Sequence, residues 1–218
     1  CYTDRMEEAL AHYASQTGRS IAQLLLQDWQ GIVFHLPYAF HGKRMLAGTF
    51  TQAIADAALW ESYFGAQALE AGAEKWVAKS EPYKQFVKEK IDAGQWASQH
   101  VGNVYTGSIF LALASWLYQA PASLPAGTKL GGIAYGSGSK SKVFSMQLAN
   151  QWHAIAQKFD LESKLTARTE ISSEQYLLLH SGALTHAIQP NKSIQYLGQK
   201  HEEPARLSRQ YRISTAHH

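Results

Sequence analysis

Three short motifs carry the residue types that acyl-transfer chemistry needs. They are residues 34–38 (FHLPY), 101–108 (VGNVYTGS) and 135–138 (YGSG). Their histidine, asparagine and glycine-flanked serine are groups that polarise a thioester carbonyl in such sites. The one cysteine, Cys1, has no neighbours that would activate a thiolate. The motifs therefore predict the acceptor side of an acyl-transfer site, with the covalent nucleophile outside these residues.

His35 is the candidate acid. It follows a short apolar run of strand-forming residues that Pro37 ends, so it is predicted at the end of a buried strand. An imidazole there can donate a hydrogen bond to a carbonyl, or a proton to a developing alkoxide, near neutral pH. The alternative is a packed or solvated histidine. His41 suggests a metal pair with it, but no further ligand has metal spacing nearby, so no metal site is predicted.

Asn103 lies just before a predicted helix over residues 106–117, which is apolar on most sides and expected to be buried. Its amide is placed to donate to a substrate oxygen beside the positive end of that helix. The alternative role is an ordinary helix N-cap.

Two further features point to ligand contact. Gly136-Ser137-Gly138 permits close backbone approach, and successive amides in such a turn bind an oxyanion, although the same residues also suit a simple turn between strands. Lys43-Arg44 could meet the phosphates of a nucleotide-bearing substrate, or be a solvated surface pair. No phosphate-binding loop is present, because no Gly-Lys-Ser or Gly-Lys-Thr ending occurs.

The elements that must position these residues follow from periodicity and capping signals. Helices are predicted from Thr3 to Gly18, from Ser20, and over 43–64, 66–79, 81–99 and 106–117; strands are predicted over 31–36, 129–135 and 142–148. Residues 152–159 fit a strand or a helix, 172–179 a capped helix, and 194–197 and 211–213 closing strands. This order predicts an α/β fold, a sheet covered by helices with a helical insertion, in a single domain over residues 1–218.

Composition narrows the class of protein. With 45% hydrophobic residues the chain can build a core, and a net charge of +3 does not indicate a nucleic-acid partner. The longest apolar stretch, residues 109–118, is about half of the ~20 residues needed to span a bilayer, so no membrane segment is expected. The first residues do not form a signal peptide, and one cysteine suits a reducing compartment, so a cytoplasmic location is expected. Because the chain begins without methionine and directly in helical periodicity, a preceding segment is expected.

In this order, the motifs resemble the C-terminal half of the hydroxymethylglutaryl-CoA synthases, a family with the thiolase fold. The resemblance runs from Cys1-Tyr2 through FHLPY, GKRM, VGNVYTGSIFLALASWL and GGIAYGSG to Thr169-Glu170-Ile171 and Arg209-Gln210-Tyr211. VGNVYTGS before an apolar helix is its most specific part. The chain departs from the family at Phe40, where relatives often carry lysine, and at Ala134, where they often carry serine.

The resemblance implies condensation of acetyl-CoA with acetoacetyl-CoA to 3-hydroxy-3-methylglutaryl-CoA, in the mevalonate route to isoprenoids, by a homodimer without a further cofactor. In the family, the acetylated cysteine and the catalytic glutamate belong to the N-terminal half, which is missing here. Cys1 matches a helix cysteine and not that nucleophile. This chain would then be the C-terminal domain of a longer synthase, inactive alone.

The resemblance also assigns roles within the chain. His35 would polarise the acetoacetyl group and act as the acid, and Asn103 would bind its thioester oxygen. Tyr135, Gly136 and Ser137 would belong to an oxyanion-binding turn, and Lys43 would lie near the CoA moiety.

Two other functions stay open. One is the homologous synthase of polyketide β-branching, which acts on a carrier-protein-bound ketone; Gly42-Lys43-Arg44-Met45 is closer to the mevalonate enzymes. The other is a non-catalytic module that keeps the fold. Retention of His35, Asn103 and the YGSG turn together favours part of an enzyme.

Overall fold

The computed structural model describes residues 2–184, 188, 194–199 and 209–213. Contacts between Cα atoms divide the chain into two units, Cys1–Thr166 and Ala167–His218. The expectation of one domain over residues 1–218 stays a prediction. Cys1 lies outside the described residues.

The first unit begins with two helical segments, as predicted. Helix α1, Tyr2–Thr17, buries Met6, Leu10 and Ala14, which recur every four residues along one face. A second segment starts where Ser20 Oγ accepts from the Gln23 N–H and Gln23 Oε1 accepts from the Ser20 N–H. Its residues Gln23–Asp28 form a π-helix, which hydrophobic periodicity does not predict.

A three-stranded sheet carries the site, and its strands confirm the predicted ones. Strand β1, Gly31–Phe34, is parallel to β2, Lys129–Gly136, which is antiparallel to β3, Lys140–Gln147. Glycine is required in β2, because a Cβ on Gly131 would lie 2.4 Å from the Trp29 ring. The close approach of this ring explains why such a buried strand contains glycine.

The chain between β1 and β2 is helical, which confirms the helical insertion. Its helices are α2, His41–Ala53; α3, Ala57–Phe64; α4, Glu74–Val77; α5, Glu81–Lys90; α6, Asp92–Val101; and α7, Ser108–Gln119, which follows a 3₁₀ turn at Tyr105–Gly107. Two of the predicted helices are each divided in the structure, and of the helix predicted over 66–79 only Glu74–Val77 is helical. Asp56 caps a new helix by accepting from Ala58 and Leu59, and the run over 81–99 breaks at Ile91.

Helix α7 is less buried than its apolar sequence predicts. Ser108, Ala112, Ser115 and Trp116 are buried, whereas 70% of Phe110 is exposed. Burial therefore follows one face of the helix, which carries two serines, an alanine and Trp116. The larger apolar residues on its other side border a cavity.

Residues 152–159, which fitted a strand or a helix, contain helix α8, Trp152–Gln157, and α9, Leu161–Thr166, ends this unit. The second unit contains helix α10, Ser173–His180, which confirms the capped helix: Ser172 and Gln175 form a capping box. It also contains the antiparallel strands β4, Ile194–Gln199, and β5, Arg209–Ile213, which confirm the closing strands. Among the described residues, no helix has the length and apolar character needed to cross a membrane.

Candidate active site

Residues of all three motifs meet at one edge of the sheet. Because β1 and β2 are parallel, their carboxyl ends lie side by side, and a cavity of about 370 Å³ opens beside them. His35, which follows β1, and Tyr135, Gly136 and Ser137, at the end of β2, line it. Most of the other lining side chains are apolar: Val33, Tyr105, Thr106, Ile109, Phe110, Leu113, Ala134, Phe144 and Met146. Four of the six predicted site residues thus share one largely apolar cavity.

The backbone of His35 is held on both sides. Its N–H donates to the Ile133 carbonyl at 2.9 Å, which extends the parallel pairing by one residue beyond β1. Its carbonyl accepts from the Tyr2 hydroxyl, also at 2.9 Å. Strand β2 and helix α1 therefore fix the point at which the histidine side chain leaves the chain.

The imidazole of His35 is oriented by a serine from α7. Ser108 Oγ lies 2.8 Å from His35 Nδ1 and accepts from the Leu36 N–H at 3.0 Å. The rings of Tyr2 and Tyr135 lie 6.5 and 6.3 Å from the imidazole centroid. Burial lowers the pKa of His35 below its usual value, which favours a neutral imidazole at neutral pH.

His41 lies close to this site but has a different environment. Its ring packs edge-on against Tyr2 at 4.4 Å and Tyr38 at 4.9 Å, and neither ring nitrogen has a hydrogen-bond partner among the described residues. Burial, followed by the charges of His35 and Arg44, lowers its pKa. Within the described part of the chain, no group of three or more histidine, cysteine, aspartate or glutamate side chains is arranged for a metal ion.

Asn103 lies outside the residues that line the cavity, although Tyr105 and Thr106 belong to them. Its Oδ1 accepts from the Tyr105 N–H at 2.7 Å, and Tyr105 has a φ of 49°, in the left-handed region. This bond joins residues two apart and precedes the 3₁₀ turn, whose N-cap residue is Val104, while α7 begins only at Ser108, so Asn103 caps neither. No described residue accepts from the Asn103 amide nitrogen, which leaves it able to donate to a ligand. Its predicted binding role stays a prediction.

The YGSG turn forms the tip of the β2–β3 hairpin. Ser139, with a φ of 58°, is the left-handed residue of this turn, so neither Gly136 nor Gly138 is needed for an unusual φ. A Cβ on Gly138 would meet no atom within 4 Å. What these glycines provide is open space beside backbone amides, next to the exposed Ser137.

Lys43 is not brought to the His35 cavity. It lines two separate depressions, one with Phe40 and Trp96 and the other with Arg44 and Lys84. Its ammonium lies 4.4 Å from the centroid of the Phe40 ring, a cation–π contact at the position where relatives often carry lysine. The result is a surface apart from the cavity on which Lys43, Arg44 and Lys84 outnumber one carboxylate, that of Asp92.

The sequence did not point to Ser108 as a site residue, or to the hydrogen bond from the Tyr2 hydroxyl to the His35 carbonyl. Ser108 is one small polar residue at the start of an apolar helix, and no spacing relates it to His35, which is 73 positions away. Its only sequence signal was its membership of the VGNVYTGS motif.

Comparison with known proteins identifies the family of this chain. Residues 1–212 match the family model described as "Hydroxymethylglutaryl-coenzyme A synthase C terminal". The hydroxymethylglutaryl-CoA synthase of Haloferax volcanii is 29% identical over 197 residues, covering 82% of this chain and 43% of that protein. This chain therefore spans less than half the length of that curated relative.

Solved structures show the same fold. "MvaS in complex with 3-hydroxy-3-methylglutaryl coenzyme A" superposes with a TM-score of 0.72 at 23% identity, over 99% of this chain and 50% of that one. The curacin biosynthetic pathway HMG synthase in complex with holo donor-ACP gives a TM-score of 0.60 at 22% identity, over 98% and 49%. The fold is thiolase-like, and the chain belongs to the hydroxymethylglutaryl-CoA synthase family, matching its C-terminal region.

Proposed function

We propose that this chain is the acceptor-side half of a hydroxymethylglutaryl-CoA synthase, which condenses acetyl-CoA with acetoacetyl-CoA in the mevalonate pathway. The observation that carries the proposal is the imidazole of His35, which Ser108 orients and whose pKa burial lowers, in a cavity that it shares with the Tyr135-Gly136-Ser137 turn. Family membership over residues 1–212 supports it.

His35 acts on the ketone of the acetoacetyl group. A neutral imidazole whose one N–H points at the ketone oxygen stabilises the negative charge that develops there. As the new carbon–carbon bond forms, the alkoxide takes a proton from the imidazolium form of the ring, which is left as the neutral imidazole. Desolvation suits this role, because a depressed pKa makes the imidazolium a stronger acid, while the neutral ring still donates one hydrogen bond.

Other residues bind the substrate around this centre. The Asn103 amide nitrogen donates to the thioester oxygen, and amides of the turn at Gly136 and Ser137 form an oxyanion-binding surface. Lys43, with Arg44 and Lys84 beside it, contacts the phosphates of the CoA moiety. The acetylated cysteine and the base belong to the other half of the enzyme. CoA thioesters are the substrates, and no further cofactor is required.

The second candidate is condensation on a carrier protein. The curacin pathway synthase in complex with donor-ACP has this fold, which supports an acyl carrier as partner. The basic surface at Lys43 suits the phosphate of either carrier, whereas the GKRM segment favours CoA. A non-catalytic module is the third candidate.

Turnover by the complete enzyme that carries this chain separates the three. We expect faster condensation with acetoacetyl-CoA than with acetoacetyl carrier protein; the reverse preference would indicate β-branching, and no turnover with either would indicate a binding module. His35→Gln should leave cysteine acetylation intact and slow condensation roughly 10²–10⁴-fold, the usual loss for a positioned acid. Normal turnover of His35→Gln would assign the acid elsewhere. Assembly as a homodimer and a cytoplasmic location stay predictions.

A further inference from the structure

We propose that Ser108 is a positioning residue that holds His35 in the Nε2–H tautomer, so that the ring nitrogen away from α7 is the donor. Its role toward the substrate carbonyl rests on the proposed function, but the tautomer does not. The inference comes from counting donors and acceptors at one fully buried hydroxyl.

Ser108 has no access to water, because none of its surface is exposed. Among the described residues, its Oγ has two hydrogen-bond partners, the Leu36 N–H at 3.0 Å and His35 Nδ1 at 2.8 Å. The first of these can only donate, so it occupies one lone pair of the hydroxyl. The hydroxyl proton then has one acceptor within reach, which is Nδ1.

The two tautomers of His35 differ in what they leave unpaired. If Nδ1 carries the proton, it donates to Oγ, and the Ser108 hydroxyl proton is buried without an acceptor, which is unfavourable. If Nε2 carries the proton, Nδ1 accepts from Ser108 and every buried polar atom of the pair is satisfied. The arrangement therefore favours the Nε2–H form.

The rest of the site is compatible with the Nε2–H tautomer of His35. Burial lowers the pKa of His35, which favours the neutral ring with a single proton near pH 7. Its backbone is fixed by Ile133 and Tyr2, which keeps the ring from moving away from Ser108. The rings of Tyr2 and Tyr135 lie near the imidazole, His41 interacts with it electrostatically, and the hydrogen bonds seen among the described residues include none to Nε2. Nε2–H is thereby available to a ligand in the cavity.

A matched control lies on the same helix. Ser115 is also fully buried, and its Oγ accepts from the Ala97 N–H at 3.0 Å and donates to the Ala93 carbonyl at 2.6 Å. Ser115→Ala removes a comparable pair of hydrogen bonds from α7 without touching His35.

The test is long-range ¹H–¹⁵N NMR of the ¹⁵N-histidine-labelled chain at neutral pH without substrate, with His35 assigned from the signal lost in His35→Gln. We expect protonated Nε2 and unprotonated Nδ1 in the unaltered chain and in Ser115→Ala. In Ser108→Ala, the Nδ1–H form should become detectable and the pKa of His35 should rise, because a bond to its neutral form is lost.

Two results would overturn the proposal: a protonated Nδ1 in the unaltered chain, or the same tautomer and titration in Ser108→Ala. If Ser108→Ala does not fold, Ser108→Thr and Ser108→Val replace it, because they differ only in a hydroxyl against a methyl group. Threonine should preserve the unaltered pattern and valine should not; identical patterns would contradict the role. The NMR measurement uses no substrate, so its outcome does not depend on whether the proposed function is correct. In the complete enzyme, Ser108→Ala should lower kcat more than it changes KM.

Discussion

His35 and His41 show how two histidines six residues apart acquire different roles from their surroundings. His35 follows a strand, has its Nδ1 matched to Ser108 and lines a cavity. His41 starts α2, packs between Tyr2 and Tyr38, and has two buried ring nitrogens without partners among the described residues. A buried polar group without a hydrogen-bond partner lowers the stability of the fold, so we expect His41 to be less favourable for stability than His35.

We predict that His41→Leu stabilises the chain by roughly 1–3 kcal/mol near pH 7, the usual penalty of unsatisfied buried polar groups. The gain should grow in acid. Because burial lowers the pKa of His41, the unfolded chain binds a proton below about pH 6.5 that the folded chain resists, so the free energy of unfolding falls as pH falls. Urea unfolding from pH 5 to 8 measures this, with His12→Gln on the exposed face of α1 as the control. An unchanged or lower stability in His41→Leu would contradict the prediction.

The two possible roles of Asn103 predict different effects of the same substitutions. Its Oδ1 binds the Tyr105 N–H, which either serine or asparagine can do, whereas its amide nitrogen is a donor that serine lacks in that geometry. Asn103→Ala should cost about 0.5–2 kcal/mol of stability, and Asn103→Ser much less. In the complete enzyme, however, Asn103→Ser should lose on the order of 2.7–4 kcal/mol of transition-state stabilisation, as for a lost oxyanion donor. Tm and kcat/KM of both variants decide, and an active, stable Asn103→Ser would leave only the bond to Tyr105.

At the scale of elements, local signals predicted types and order well. The strand ended by Pro37, the β2–β3 hairpin and the Ser172 capping box each rest on residues a few positions apart, and each is confirmed. What local signals missed depends on contacts distant in sequence. The π-helix at Gln23–Asp28 and the half-exposed α7 are examples, since apolar periodicity does not report which face meets a partner.

The candidate site was predictable to a similar extent. The motif residues at the ends of β1 and β2 could be expected to meet, because parallel strands end at one edge. The Ser108 contact with His35 spans 73 residues and needs the packing of α7 against β1, which no spacing encodes. Lys43 was expected near the substrate, and the structure places it at other depressions, so its role is still a prediction.

The glycines of the β2–β3 hairpin allow a direct test of how tightly β2 packs against Trp29. Gly131→Ala should destabilise the chain by about 1–3 kcal/mol, because its Cβ would overlap the rigid, fully buried Trp29 ring, and overpacked cores lose this much. Gly138→Ala at the tip of the same hairpin meets no atom within 4 Å and should change stability by no more than about 0.5 kcal/mol. Chemical unfolding of both variants compares them directly. Equal effects would show that the sheet can move away from Trp29.

At the scale of the whole molecule, we expect this chain to supply only part of the groups that the proposed reaction needs. The chain spans about half the length of the solved relatives, and its largest exposed apolar side chains include Tyr105 and Phe110, which line the cavity. An apolar cavity wall open to water is unusual in a finished active site, where exclusion of water strengthens polar interactions. We expect the remaining half of the enzyme to cover this wall and supply the thiol.

The last prediction follows from that division of labour. The proposed condensation passes through an acetyl-cysteine, and the proposed acceptor residues His35 and Asn103 cannot substitute for a thiolate nucleophile and its base. The purified chain, mixed with acetyl-CoA and acetoacetyl-CoA, should therefore form no 3-hydroxy-3-methylglutaryl-CoA above background and retain no acetyl group.

Acetoacetyl-CoA added to the same chain should still perturb the NMR signals of the His35 ring. Lys43→Ala should weaken this binding, because the lysine is proposed to contact the CoA phosphates. Mass spectrometry of the mixture and NMR titration of the chain measure the two halves of the prediction. Product formed by the pure chain would mean that these residues hold a complete catalyst, and an unperturbed His35 would mean that the acceptor site forms only with the rest of the enzyme.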